Sequence, residues 1–336
     1  MNSDTPSQCD YRWPAEWERH AATWIAWPHN HDTWPGHFAG IPEIFTELTR
    51  TVSQFEPVHV LAGGQRVMQQ AQLLVGDLPQ VTLHDIATND AWVRDYGPIL
   101  LSRQHHPQIA AVNWQFDSWG GKYPPWDLDN AAAAKIAEAG GWPIFEGPAV
   151  LEGGAIDGNG RGTVITTETC LLDPRRNATI NRRNMEHMLA EYLGANRVIW
   201  LPGGPIAGDD TDGHVDQLAR FVAPEHVVMA FEENDQDENY APLAANLARL
   251  ATYREENWPD LQISRLPMPK PIYFEQQRVP ASYCNFYIVN GGVIVPQFDD
   301  VADHRALEVL SQVFASRQIV GLPARQLVWG LGAFHC

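Results

Sequence analysis

The chain has 336 residues, 44% of them apolar, and carries 41 acidic against 23 basic side chains for a formal charge of -18. That composition supplies a globular core, while the acidity excludes a nucleic-acid binder, which needs a basic face, and suits a small cationic ligand concentrated by a negative field. The 4 cysteines are widely spread with no C-x-x-C pair, the amino terminus lacks a basic start followed by an apolar run, and no apolar stretch nears the roughly 18 residues of a membrane span, so the expectation is a cytoplasmic protein with reduced thiols.

In chain order, "HNHDTWPGH" comes first, with His29, His31 and His37 as a metal candidate on a Pro- and Gly-marked loop. "IPEIFTELTRTVSQFE" sets Ile41, Ile44, Phe45, Leu48, Val52 and Phe55 on one helical face, with Pro42 at an allowed early position. "VHVLAGG" and "QVTLHDI" read as strands. "NDAWVRDYGPILL" places Trp92, Arg94 and Asp95 before a Gly-Pro turn and an apolar strand. An aspartate there bonds backbone N–H groups or grips a planar cation, with Trp92 as an apolar wall. "NWQFDSWGGKY" adds Trp114, Trp119 and Lys122. "DNAAAAKIAEAGG" is a helix with a polar cap and a glycine stop.

"LEGGAI" puts Glu152 after an apolar strand and before two glycines that let a ligand approach the backbone. "NRRNMEHMLAEYLG" is a helix with Met185, Met188, Leu189 and Tyr192 inward and Gly194 at its end. "GDDTDGHVDQLARF" is the densest polar cluster, with Asp209, Asp210, Asp212, His214 and Asp216. A strand starting near His214 would put His214 and Asp216 on one face, a general base beside a charge anchor. Asp95 and Asp216 together could hold both edges of a guanidinium. Asp212, His214 and Asp216 also fit D-x-H-x-D, the spacing of dinuclear ureohydrolases, but the S-x-D-x-D partner segment of those enzymes is absent. Helices "LAANLARLATY" and "VADHRALEVLSQVFASR" and strands "TVITT", "RVIWLP", "HVVMAF", "NFYIVN" and "VIVP" complete a single α/β domain, residues 1–336, with no linker-like tract. A turn glycine meets an apolar strand at Gly97, Gly154, Gly213, Gly291 and Gly332, compatible with five similar units converging on one face.

"WVRDYGP", "NWQFDSWGGKY", "GRGTVITTETCLL", "DDTDGHVD", "SYCNFYIVNGGVIVPQFDD" and the final "HC" stand in order along nearly the whole chain, as does the opening "ERHAATWIAWPHNHDTWPG". This set resembles the agmatine deiminase family and its relative, the bacterial-type peptidylarginine deiminases. The resemblance implies the pentein fold, a five-bladed α/β propeller of pseudo-fivefold symmetry with a central site. It implies Cys336 as nucleophile, His214 as catalytic histidine, Asp95 and Asp216 as the guanidinium-gripping carboxylates, and Glu152 as a substrate-binding acid near the site. Trp92 and Trp119 would line the substrate pocket, and Asp210, with Asp212, could meet a distal amine. It implies no metal or organic cofactor, and a small cationic guanidine, agmatine, as substrate; peptidylarginine or arginine is the alternative, with Arg94 or Lys122 facing a carboxylate. Remoter alternatives are a metal-dependent ureohydrolase and an inactive guanidine-binding protein. A homodimer is the default assembly. The family usually reads "GGGNIHC" where this chain has "GLGAFHC", so Ala333 and Phe334 replace Asn-Ile. The sequence stops at Cys336, where relatives continue; an α-carboxylate on the nucleophile would oppose its thiolate.

Overall fold

The computed structural model describes residues 4–106 and 108–336; the first three residues of the stretch read for a signal peptide lie outside these. The described residues form five three-stranded sheets and one two-stranded hairpin. The first sheet is β1 (Thr23–Ala26), β2 (Val58–Leu61) and β3 (Val81–His84), all parallel. The next three are β4 (Ile99–Ser102), β5 (Ile109–Gln115) and β6 (Ile144–Val150); β7 (Ile156–Gly158), β8 (Thr163–Thr167) and β9 (Arg197–Leu201); and β10 (Ala219–Ala223), β11 (His226–Phe231) and β12 (Gln262–Pro267). After a hairpin of β13 (Ile272–Phe274) and β14 (Gln277–Val279), the last is β15 (Tyr287–Val289), β16 (Gly292–Gln297) and β17 (Gln318–Pro323). In these last four three-stranded sheets the first pair is antiparallel and the second parallel.

A parallel pair needs a crossover connection, usually helical. Ala132–Gly140, Arg182–Leu193, Tyr240–Asn257 and Ala302–Val313 supply it in the four mixed sheets, while Ile41–Val52 and Gln65–Val75 serve the first. The expected helices form for local reasons. Ile41–Val52 buries Ile41, Phe45, Leu48 and Val52, and its buried Thr46 and Thr49 hydroxyls donate back to the carbonyls of Pro42 and Phe45. Arg182–Leu193 opens on an Asn181–Asn184 capping box and closes on Gly194 at φ 70, a left-handed position that suits glycine. The polar cap expected for "DNAAAAKIAEAGG" does not form. Asn130 Oδ1 instead accepts the Phe116 N–H, Asp129 accepts the N–H groups of Asn89 and Asp90, and the helix starts at Ala132 with Ala131 as an N-cap that offers no side-chain bond.

Short helical turns carry the chain into these sheets: Val93–Tyr96 before β4, Gly153–Ala155 before β7, Val215–Gln217 before β10 and Tyr283–Asn285 before β15. They pack against one another in sequence. The glycine recurrence caught three of these junctions, at Gly97, Gly154 and Gly213. Gly291 instead makes the turn inside the β15–β16 hairpin at φ 77, and Gly332 leads into no strand.

Candidate active site

Each of the packed turns delivers a polar side chain to one buried centre. Asp95 comes from the first, with Glu152 and His214 immediately ahead of the second and third, Asp216 within the third and Asn285 at the end of the fourth. The chain's last segment adds His335 and Cys336. His214 and Asp216 do not share a strand face as expected. Val215–Gln217 is a 3-10 turn and the strand starts only at Ala219, so both side chains leave a tight bend. The convergence is visible at Gly154, where a Cβ would lie 2.7 Å from Asp95 Oδ1, 2.7 Å from His214 Nδ1 and 3.1 Å from Asp216 Oδ2.

Asp95 is buried; its Oδ1 accepts the Gly154 N–H at 2.9 Å and its Oδ2 the Trp119 indole N–H at 3.0 Å. Trp119 is therefore both a wall and an anchor of Asp95. Asp216 lies across from it: its Oδ2 receives the Asn285 amide at 3.2 Å and pairs with His335 Nδ1 at 2.8 Å. Burial pushes both carboxyls up. Asp95, with Asp216 and Glu152 near, stays above its ordinary value, whereas His335 and other cations bring Asp216 below its own. Cys336 Sγ sits 3.7 Å from Asp216 Oδ2 and receives the Asn285 amide N–H at 3.2 Å. Burial first, then Asp216 and Asp95, hold its thiol well above the usual range.

His214 is enclosed, with Nδ1 3.6 Å from Asp95 Oδ1 and Nε2 3.9 Å from Glu152 Oε2. Neither ring nitrogen has a hydrogen-bond partner among the described residues. Burial disfavours its charge, but the carboxylates of Asp95 and then Glu152 overturn that and leave its pKa well above 6.5. Glu152 is not a substrate-facing group as expected: it is buried behind His214, and the Arg176 Nε–H reaches its two oxygens at 2.7 and 3.0 Å. A buried carboxylate needs such a partner.

A cavity of about 780 Å³ opens over Cys336, with Trp92, Asp95, Trp119 and Asp210 among its walls. Asp210 is half-buried there, its carboxylate taking the Tyr123 hydroxyl. Asp212 is spent elsewhere: Lys122, Arg175 and Arg176 all bond its carboxylate, at 2.9, 2.6 and 2.8 Å. That removes it as an amine receptor, removes Lys122 as a free cation, and breaks the D-x-H-x-D metal reading, because the three ligands do not converge. His29, His31 and His37 also disperse, to the carbonyls of Trp27 and Thr88, to Phe38, and to Phe274 with Trp329. A second cavity of about 660 Å³, with Trp24, Arg94, Tyr287 and His335 in its lining, meets the first at Trp92 and Cys336.

Ala333 and Phe334, at the unusual positions of the ending, are buried in the largest apolar cluster. Leu331 holds φ 68, where a side chain is strained and glycine is not. Sequence reasoning missed Asn285, His335, Arg176 and Glu16. Glu16 binds His335 Nε2 at 3.1 Å and the guanidinium of Arg220, completing a buried chain of charge behind Asp216.

The fold and this centre define an α/β protein whose buried site gathers Cys336, His214, His335 and the carboxylates of Asp95 and Asp216. A family profile described as Porphyromonas-type peptidyl-arginine deiminase matches residues 12–336. Curated relatives include agmatine deiminases of Ectopseudomonas mendocina, 37% identical over 99% of this chain and 95% of theirs, and of Pseudomonas putida, 36% identical over 100% and 96%. Among solved structures, agmatine deiminase of Enterococcus faecalis superposes with TM-score 0.91 at 34% identity, covering 100% of this chain and 96% of that one. A cysteine-to-serine variant of C. jejuni agmatine deiminase with substrate bound gives 0.89 at 31%, covering 97% and 94%. The chain belongs to the Porphyromonas-type peptidyl-arginine deiminase family.

Proposed function

We propose that this protein is an agmatine deiminase, hydrolysing the guanidinium of agmatine to N-carbamoylputrescine and ammonia in polyamine synthesis. The observation that carries the reading is that Asp95 and Cys336 face one Trp-walled cavity while Asp216 Oδ2 stands 3.7 Å from Cys336 Sγ. Two carboxylates match the donor fork of a guanidinium, and they hold its carbon against the sulfur. The repeated sheet units are read as blades of a pentein propeller with pseudo-fivefold symmetry, and residues 1–336 as a single domain around that centre. The curated relatives bear the name agmatine deiminase, and the acidic cavity mouth at Asp210 suits a distal ammonium better than a carboxylate. Among the described residues no helix is long and apolar enough to cross a membrane; the setting we assign is the cytosol, with a homodimer as the default assembly.

The bound cation favours the thiolate that burial and the carboxylates otherwise suppress. Cys336 Sγ attacks the guanidinium carbon. His214, protonated, gives its proton to the departing nitrogen; the C–N bond breaks, ammonia leaves, and a thiouronium remains. The neutral imidazole then takes a proton from water, whose oxygen adds to the carbon; the C–S bond breaks and the ureido product departs. Glu152, fixed by Arg176, orients His214 and stabilises its imidazolium.

The direct test is ammonia release from agmatine, arginine and a peptidyl-arginine ester, each with and without EDTA. Chelator-resistant ammonia from agmatine alone is expected. Urea in place of ammonia, lost with EDTA, would mean a ureohydrolase; binding without turnover of any guanidine would mean an inactive binder.

The pH profile of kcat/KM follows from the shifts. On the acid side activity is lost as Asp95 takes up a proton, at a pH above that of an ordinary aspartate. On the alkaline side it is lost as His214 gives its proton up, and that limb should lie well above 6.5. A profile that declines through the ordinary imidazole range would remove His214 from the acid role.

Gly154→Ala tests the packing of the three groups. Its backbone suits any residue, but the added methyl meets Asp95, His214 and Asp216 at once. Displacement of reacting groups by about 1 Å can lower kcat about 10²-fold. Steady-state kinetics should show that fall, and kcat unchanged within about twofold would mean the site tolerates the shift.

A further inference from the structure

Cys170 is a buried thiol that the reaction leaves without a task. It stands in the turn after β8, fully enclosed, with Sγ 4.0 Å from Glu152 Oε2. His214 Nε2 approaches the same oxygen at 3.9 Å. One ligand-capable atom from each of Glu152, Cys170 and His214 lies within 4.8 Å of the others. His214, at 1% exposure, has no hydrogen-bond partner at either nitrogen among the described residues. Thus a sulfur and a carboxylate oxygen from the β7–β9 unit and an imidazole nitrogen from the approach to β10 face one point.

We propose that Glu152, Cys170 and His214 form an inhibitory site for a borderline-soft divalent cation of the zinc type, which switches the enzyme off by occupying His214. The inhibitory consequence rests on the function proposed above; the binding itself does not.

The donor set is the mixed S, N, O set that zinc accepts. Tetrahedral zinc with ordinary bond lengths places N and O about 3.3 Å apart and S and O about 3.5 Å apart. The N–O and S–O separations of 3.9 and 4.0 Å need about half an ångström of closure, and sulfur and nitrogen, within 4.8 Å, close by at most about an ångström more, within side-chain movement. Binding releases the Cys170 thiol proton and the His214 imidazolium proton to solvent, so affinity rises with pH. The Arg176 guanidinium on Glu152 repels a second cation. The site is accordingly weaker than a structural zinc centre, which suits reversible inhibition. Once Nε2 is ligated, that nitrogen can no longer carry a proton to or from the guanidine.

The test uses Zn²⁺ alone on the full chain, with ammonia release from agmatine as readout. Zinc should inhibit, EDTA should restore, and Cys170→Ser should keep basal turnover while raising the half-inhibiting zinc concentration by at least about tenfold, the loss expected when a metal site is weakened. Cys170→Ala is the second variant should the serine hydroxyl disturb packing. Unchanged zinc sensitivity in both would overturn the proposal and move the metal to Cys336. A second arm needs no activity. In Cys336→Ala, Cd²⁺ should give a thiolate-to-metal charge-transfer absorption that saturates with protein, and Cys336→Ala/Cys170→Ser should lack it although Cys9 and Cys284 remain. No such band in Cys336→Ala, or the same band in the double variant, would refute the site. If agmatine gives no ammonia without metal, the function proposal fails while the cadmium arm still decides the site.

Discussion

Cys336→Ala should bind agmatine and release no ammonia. The carboxylates proposed to grip the cation, Asp95 and Asp216, are fixed by groups other than the sulfur: Gly154 N–H and Trp119 for the first, His335 and Asn285 for the second. Removing Sγ leaves that grip intact and removes only the atom that forms the covalent bond. Loss of a nucleophile in a coupled catalytic unit lowers kcat by on the order of 10⁴-fold or more. Calorimetric titration should find a dissociation constant within about tenfold of that for the inactive substrate complex trapped at low temperature, since no binding group is lost. Asp95→Asn gives the contrast, because it weakens binding and turnover together. Turnover persisting in Cys336→Ala would end the covalent scheme, and loss of binding there would mean that the sulfur holds the site together.

Arg220→Met should carry the largest penalty to stability. Arg220 is fully buried, with Nε donating to Asp157 Oδ2 at 2.7 Å and Nη1 to the Phe286 and Cys284 carbonyls at 2.8 and 3.2 Å. Nη2 meets Glu16, and the guanidinium lies 4.7 Å from the Phe286 ring centroid. Methionine fills most of the volume but leaves the buried Asp157 carboxylate without its cation and the partly enclosed Glu16 carboxylate with only His335 and the Ile288 N–H. Breaking such a pair costs about 3–5 kcal/mol, a fall in Tm on the order of 10 °C. Adding Asp157→Asn and Glu16→Gln should recover part of it by removing the stranded charges, and calorimetry on the three proteins checks the order. A Tm within about 2 °C of the parent would show the network to be dispensable.

The parts of this arrangement legible in the sequence are those written locally. Apolar runs such as "HVVMAF" and "TVITT" became strands, and the spacing of Ile41, Phe45, Leu48 and Val52 became a helix face, because burial periodicity is a property of neighbours in the chain. The polar clusters around Asp95, Glu152 and His214 stood out for the same reason, beside turn glycines. Roles set by distant contacts did not. Nothing near Asp212 announces that Arg175, Arg176 and Lys122 will claim it. Glu152 looks like a ligand for substrate until Arg176 closes on it. Asn285 and His335 lay within stretches that matched the family, yet their pairing with Asp216 and Cys336 depends on segments far apart in sequence. Glu16 had no local signal at all, because its partners His335 and Arg220 stand in the last segment and in β10. The strand expected at His214 failed because a 3-10 turn is too short to impose a period.

The three-stranded sheets are each closed by nearby chain, with a hairpin or crossover of modest length. The centre is not: it takes one or two side chains from each of several consecutive turns and finishes with the final dipeptide. Local sheets of this kind can form early, since short loops close at small entropic cost. The reactive centre cannot exist until the amino-terminal segment with Glu16 and the carboxyl-terminal segment with Cys336 have both docked. Activity would thus report assembly: sheets that form without the docking of these two segments leave the proposed nucleophile without its partners.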